Sequence, residues 1–146
     1  MTTPTMPLDK PIWTILLVED EEAVRQVTRH VLESAGYLVL EASGPEQAMA
    51  LFRRVEGAIN LLLTDIVMPG MDGAELAARL QAMRSNLTTV FMSGYSNAAR
   101  GFRDASSPAA YLQKPFTRSM LLSKVAEALS LPPTADAPSL EQRLPF

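Results

Sequence analysis

Short apolar runs alternate with segments of helical periodicity five times between residues 12 and 130. The first run, IWTILLV at 12–18, is apolar almost throughout, which is typical of a strand that is covered on both faces. The predicted strands are β1 (12–18), β2 (37–41), β3 (59–64), β4 (88–92) and β5 (109–113). This alternation predicts right-handed crossovers and therefore an α/β fold with a doubly wound, five-stranded parallel sheet.

The segments between the strands carry apolar side chains at helical spacing. The predicted helices are α1 (21–35), α2 (45–55), α3 (73–83), α4 (97–108) and α5 (117–129). The side chains expected to face the core from α1 and α3 are Ala23, Val24, Val27, Val31 and Ala35, and Leu76, Ala77, Leu80 and Met83. Gly101 and Pro108 disfavour helix within the α4 segment. A cap at Thr117 is expected to begin α5.

The 146 residues fit one domain with a single core. We interpret 1–10 as a flexible lead-in, 11–130 as the domain and 131–146, with four prolines, as a tail or linker. No apolar stretch approaches the ~20 residues of a membrane helix, so no membrane insertion is expected. The net charge is −3 without a Lys/Arg cluster, which argues against direct nucleic-acid binding. The absence of cysteine excludes disulfides and thiolate chemistry and is compatible with the cytoplasm.

Polar residues follow four of the predicted strands at the edge where a parallel sheet of this kind binds ligands. They are Glu19-Asp20 after β1, Asp65 after β3, Ser93-Gly94 after β4 and Lys114-Pro115 after β5. Three carboxylates are therefore expected to meet in one pocket, where like charges about 4 Å apart repel by about 4 kcal/mol at an effective dielectric of 20.

A hard divalent cation, Mg²⁺ or Mn²⁺, would relieve this repulsion because such ions prefer oxygen ligands. Lys114 would add a positive charge for a phosphoryl oxygen, and the Ser93 hydroxyl could donate to a second one. The chemistry then expected of Asp65 is nucleophilic attack on phosphorus, which gives an aspartyl phosphate.

Four segments, VEDEEAVR (18–25), TDIVMPGMDG (64–73), MSGYS (92–96) and YLQKPF (111–116), together resemble the receiver domain of bacterial two-component response regulators. The resemblance covers roughly residues 12–130. It implies a flavodoxin-like fold with strand order 2-1-3-4-5 and five helices. It also implies that Asp65 is the phosphoacceptor and that the donor is a phosphohistidine on a sensor histidine kinase or a histidine phosphotransfer protein.

The resemblance assigns the metal ligands as well. Asp20 and Asp65 would bind Mg²⁺ directly, with the backbone carbonyl of Val67 as the third protein ligand. Glu19, which replaces the commoner aspartate, would act mainly through water. Such a protein assists its own phosphorylation and dephosphorylation but is not a conventional enzyme.

The resemblance further identifies Ser93 as the switch hydroxyl and Tyr111 as the switch aromatic. Phosphorylation would draw the hydroxyl inward, and the ring would follow, which changes the surface of α4, β5 and α5 and so regulates a downstream protein. Receivers commonly form homodimers through that surface. The Lys114-Pro115 peptide is expected to be cis, which would aim the lysine into the pocket.

The position two residues after the acceptor flanks the path of the hydrolytic water in this family. It is occupied here by Val67, whose apolar side chain cannot orient water, so we expect slow intrinsic dephosphorylation. Val67 also argues against a metal-dependent phosphatase or phosphotransferase, because the related aspartyl-phosphate hydrolases have a second acid at this position. The acidic turn after β1 argues against an FMN carrier, which needs a Gly/Ser/Thr phosphate cradle.

Two further alternatives concern whether the receiver is phosphorylated and whether it belongs to a larger protein. A degenerate receiver that is never phosphorylated is disfavoured, because all five site positions are retained. The sequence shows no output domain after the receiver. It could be a stand-alone regulator or a receiver from a larger protein, and the MSGYS and YLQKPF segments resemble receivers of hybrid histidine kinases.

Overall fold

The computed structural model describes residues 12–55, 58–94 and 110–130. Five parallel strands form one sheet in the order β2-β1-β3-β4-β5, which confirms the predicted order. The strands are β1 (Thr14–Val18), β2 (Leu38–Ala42), β3 (Leu61–Asp65), β4 (Thr88–Ser93) and β5 (Ala110–Gln113). Each predicted strand is present, with its ends shifted by no more than two residues.

Helices cover both faces of the sheet, and alternate residues of the central strands pack against opposite layers. The helices are α1 (Glu22–Ser34), α2 (Pro45–Arg54), α3 (Gly73–Met83) and α5 (Arg118–Ser130). Leu16 and Leu62 lie in the core cluster that includes Phe52 of α2 and Leu76 of α3. The neighbouring strand positions lie in the opposite cluster, which includes Leu32, Leu121 and Val125 of α1 and α5.

Local sequence signals account for where several helices begin. Proline occupies the first turn of α2, as expected. The Asp72 side chain accepts from the Glu75 amide at 2.8 Å, which caps α3. The Met120 amide donates to the Thr117 hydroxyl at 3.1 Å, which confirms the predicted cap of α5.

Some predicted segments lie outside the described residues. They are the lead-in at 1–10, the α4 segment at 97–108 and the tail at 131–146. Four of the five predicted helices are present in the described part of the chain, and the fifth, α4, stays a prediction. Among these residues, no helix is long and apolar enough to span a membrane.

The predicted inward face of α1 was wrong at three of its five positions. Ala23 and Ala35 are exposed, and Val27 is 64% exposed, whereas Thr28 and Leu32 are buried. Thr28 and Leu32 are the buried residues of this helix, while Val24 is half-buried and Val31 packs against the core cluster. The prediction had left out both Thr28 and Leu32.

The predicted inward face of α3 was wrong at one position. Its other three members are buried, but Met83, in the last turn of the helix, is 46% exposed.

Candidate functional site

The structure brings three carboxylates together at the carboxyl edge of the sheet. Val18 of β1 and Thr64 of β3 are in register, so the residues that follow them emerge side by side. Oxygen atoms of Glu19, Asp20 and Asp65 lie within 4.8 Å of one another.

Lys114 reaches this cluster from the end of β5. Its Nζ lies 2.8 Å from Asp65 Oδ1 and 2.7 Å from Glu19 Oε1. Asp65 and Glu19 are only 4% and 1% exposed, whereas Asp20 is exposed. The site therefore has a buried floor that is bridged by one ammonium group and an open side that carries Asp20.

Glu19 is held through its backbone as well as its side chain. Its Oε2 accepts from the Glu21 amide at 3.0 Å, and its own amide donates to the Ala42 carbonyl at 3.1 Å. Its carbonyl accepts from Arg25 Nη1 at 2.9 Å. Arg25 was not among the sequence-predicted site residues, although it is the last residue of the VEDEEAVR segment.

The buried acids compete for one proton. Burial and the neighbouring Glu19 carboxyl raise the pKa of Asp65 to about 8. Burial also acts to raise the pKa of Glu19, but hydrogen bonds with Asp65, Lys114 and the Glu21 amide hold it below its ordinary value. Burial acts to lower the pKa of Lys114, and its bonds to both acids raise it instead. Glu19 accepts from both Lys114 and the Glu21 amide, which favours an ionised Glu19 beside an Asp65 of raised pKa.

The donor set fits a hard divalent cation. It consists of the oxygens of three carboxylates, and one ammonium group bridges the two buried acids. A cation at the Asp20 side would supply the missing positive charge, which matches the preference of Mg²⁺ for oxygen ligands. The acidic cluster therefore suits Mg²⁺ or Mn²⁺.

Ser93 and Tyr111 lie on neighbouring strands beside this cluster. Ser93 is buried at the end of β4, and its carbonyl accepts from the Lys114 amide at 2.8 Å. The Tyr111 ring is half-buried and stacks on Phe91, with centroids 5.7 Å apart and an angle of 28° between the planes. Tyr111 is therefore packed against the core in this structure.

The loop after β3 exposes one apolar side chain to solvent. Val67 is 62% exposed, whereas its neighbours Ile66 and Met68 are buried. The loop closes at Gly73, whose amide donates to the Ile66 carbonyl at 2.7 Å. On the opposite side of the site, the Lys114-Pro115 peptide is cis, as expected.

Comparison with known proteins gives one family. The sequence model of the response regulator receiver domain matches residues 15–126. The chain is 36% identical over 117 residues to the sensor kinase CckA of Brucella abortus, which is 80% of this chain but 12% of the kinase. It is 39% identical over 116 residues to the response regulator receiver protein CpdR of the same organism, which is 79% of this chain and 95% of CpdR.

Solved structures agree with this family. The crystal structure of the receiver domain from the hybrid histidine kinase CckA has a TM-score of 0.69 and 34% identity, and the match covers 80% of this chain and 98% of that one. A response regulator receiver protein from Sinorhizobium medicae gives a TM-score of 0.72 and 30% identity, with 81% and 94% covered. The chain therefore belongs to the receiver domain family of two-component response regulators.

Proposed function

We propose that Asp65 accepts a phosphoryl group from a phosphohistidine and thereby switches the protein between two surface states. An oxygen of the ionised Asp65 carboxylate attacks the phosphorus atom, and the P–N bond to the protonated donor imidazole breaks. The nitrogen keeps the electron pair of that bond, so the donor leaves as neutral imidazole. The donor would be a histidine kinase or a histidine phosphotransfer protein, which are the partners of receiver domains.

The observation that carries this proposal is the bridge that Lys114 makes between Asp65 and Glu19. It places a positive charge 2.8 Å from the nucleophilic carboxylate. Phosphoryl transfer depends on positioning and on stabilising charge on the equatorial oxygens, and a fixed ammonium group does both. The protein assists its own phosphorylation in this way without being a conventional enzyme.

The proposed metal ligands are Asp20, Asp65 and the Val67 carbonyl, with Glu19 acting mainly through water. Bound Mg²⁺ supplies positive charge to the acids and to the phosphoryl oxygens. Both carboxylate oxygens of Glu19 already have donors, Lys114 and the Glu21 amide, which supports its indirect role. The exposure of Asp20 leaves its carboxylate accessible to an ion from solvent.

The proposed readout uses Ser93 and Tyr111. Ser93 lies at the end of the strand beside Asp65, within the same edge of the sheet, and can donate to a phosphoryl oxygen. Tyr111 would then leave its present packing against Phe91, which changes the surface of β5 and its neighbours. Moving a population from 1:99 to 99:1 needs about 5.5 kcal/mol of differential interaction, which a phosphoryl group of charge about −2 can supply through several charge-assisted hydrogen bonds.

The changed surface would bind a downstream protein or a second copy of the chain. We propose the cytoplasm as the location, where the phosphodonor proteins of this family act. A chain that acts alone and one that forms part of a hybrid kinase fit this proposal equally, since the relatives include both CpdR and CckA.

Incubation with acetyl phosphate and Mg²⁺, followed by intact mass measurement, tests the proposal. Wild type should gain one phosphoryl group, and Asp65→Asn should gain none. Asp72→Asn is the matched control, because Asp72 is an exposed aspartate in the same loop that caps α3, and asparagine keeps the cap. A folded wild type that binds Mg²⁺ and forms no adduct would overturn the proposal.

A further inference from the structure

Arg25 contacts the acidic site from outside it. The side chain extends from the first turn of α1 and is 16% exposed. Its Nη1 donates to the Glu19 carbonyl at 2.9 Å, and its Nε donates to Glu41 Oε1 at 3.0 Å. The guanidinium group therefore ties the end of β1 to the end of β2 through α1.

The Glu19 carbonyl belongs to the peptide that joins Glu19 and Asp20, the two acids that follow β1. A peptide unit is planar, so fixing its oxygen also fixes the amide and the α-carbon of Asp20. The amide of Glu19 is fixed in turn by the Ala42 carbonyl. Because the amide and the carbonyl of Glu19 are both hydrogen-bonded, the backbone of Glu19 and Asp20 keeps one orientation relative to Asp65.

The geometry of the contact requires arginine. A guanidinium group donates in two directions from one rigid plane, so it can bond a carboxylate and a carbonyl at the same time. Glu41 holds that plane in place, and it also contacts Arg29, which lies one turn further along α1. An ammonium group on a flexible stem keeps the charge but not the fixed angle between the two bonds.

We propose that Arg25 is a positioning residue of the metal site, which sets the Glu19–Asp20 peptide and through it the affinity of the acidic cluster for Mg²⁺. This inference rests on the proposed function, since it assumes that the cluster binds the ion. Loss of groups that orient metal ligands typically weakens metal binding by about 10–100-fold, so Arg25→Gln should raise the Mg²⁺ dissociation constant by about tenfold or more.

The structure offers a matched control in Arg29. This residue also pairs with Glu41 from α1, but it is 44% exposed and its bonds go to Glu41 and Glu33 rather than to the Glu19 carbonyl. Arg29→Gln should leave Mg²⁺ affinity within about twofold of wild type. Arg25→Lys should fall between wild type and Arg25→Gln.

The experiment is a Mg²⁺ titration of the full chain followed by amide NMR spectra, which report folding and the dissociation constant together. In parallel, the acetyl phosphate reaction is measured across Mg²⁺ concentrations. A positioning role predicts that the half-saturating Mg²⁺ concentration of Arg25→Gln rises about tenfold while the rate at saturating Mg²⁺ stays close to wild type. A merely structural role would lower the saturated rate as well.

The outcomes separate this inference from the proposed function. If wild type binds no Mg²⁺, both fail. If wild type binds and Arg25→Gln binds equally well, or if Arg29→Gln is weakened as much as Arg25→Gln, the positioning role alone is overturned. If the spectrum of Arg25→Gln is not native, Arg25→Lys decides: native folding with wild-type affinity would contradict the proposal, and native folding with weaker binding would support it.

Discussion

The α-carbon of Gly73 lies against the backbone carbonyl of Asp65, so closely that a Cβ on Gly73 would come within 2.1 Å of that oxygen. The neighbouring atoms are also backbone and cannot rotate away. Glycine at the start of α3 therefore lets the helix approach the strand that carries Asp65.

Gly73→Ala should destabilise the protein by about 1–3 kcal/mol, because the added methyl forces the backbone of α3 and β3 apart. It should also slow phosphorylation, since Asp65 moves with its own carbonyl. Chemical denaturation and the acetyl phosphate reaction measure the two effects. Gly44→Ala is the control, because nothing lies within 4 Å of its added Cβ and its φ of −171° suits any residue. Equal stability of the two variants would contradict the close approach.

In metal-free protein, Asp65→Asn should have a higher free energy of unfolding than wild type, and this difference should grow as the pH rises from 6 to 8. The folded state keeps a proton on Asp65 up to its pKa of about 8, whereas the unfolded chain releases it near the ordinary value of 3.8. The folded state therefore binds more protons between these values, and wild type loses stability as the pH rises through this window. Asparagine does not titrate, so the variant does not lose stability with pH for this reason.

Thermal unfolding in EDTA at several pH values measures this difference. The lowered pKa of Glu19 acts below its ordinary 4.5, and the raised pKa of Lys114 acts above its ordinary 10.5, so neither changes the slope between pH 6 and 8. If the stabilities of wild type and Asp65→Asn change with pH in parallel, Asp65 is already ionised in the folded protein and the prediction is wrong.

Lys114→Gln should slow phosphorylation by acetyl phosphate by about a hundredfold or more, because it removes the ammonium group that faces Asp65. It should also destabilise metal-free protein, since Glu19 and Asp65 lose their common partner. Rates from intact mass measurement test the first effect. Lys124→Gln serves as the control, because the ion pair of Lys124 within the described residues is a 3.8 Å contact with the exposed Glu127. Similar phosphorylation rates in Lys114→Gln and Lys124→Gln would show that Lys114 takes no part in the reaction.

Val67→Asn should shorten the lifetime of the phosphorylated state by about tenfold or more. An amide can hold the attacking water at this open position, and valine cannot. The measurement is loss of the phosphoryl mass after the donor is removed. Val27→Asn is the control, because Val27 is as exposed as Val67 but lies on α1. An unchanged lifetime in Val67→Asn would contradict the expected slow dephosphorylation.

The sequence predicted the fold and most of the site because both follow from strand ends. Parallel strands deliver Glu19, Asp65 and Lys114 to one edge whatever the details of packing. The α1 face was mispredicted in part because spacings of three and four residues fit several sets of side chains, and the prediction chose Val27 where the structure buries Thr28 and Leu32. The Arg25 contact was missed because it depends on the direction of a backbone carbonyl, which no residue pattern reveals.

β3 lies in the middle of the sheet, which distinguishes the strand of Asp65 from the strand of Tyr111. Its backbone is bonded on both sides, to β1 and β4, and its residues are buried on both faces, so its amides should exchange with deuterium only through the rarest openings. Tyr111 is on β5, which pairs with β4 alone among the described strands. Asp65, the proposed phosphoacceptor, therefore lies on a strand that is bonded on both sides, while Tyr111, the proposed switch residue, lies on a strand that can rearrange without disturbing β3.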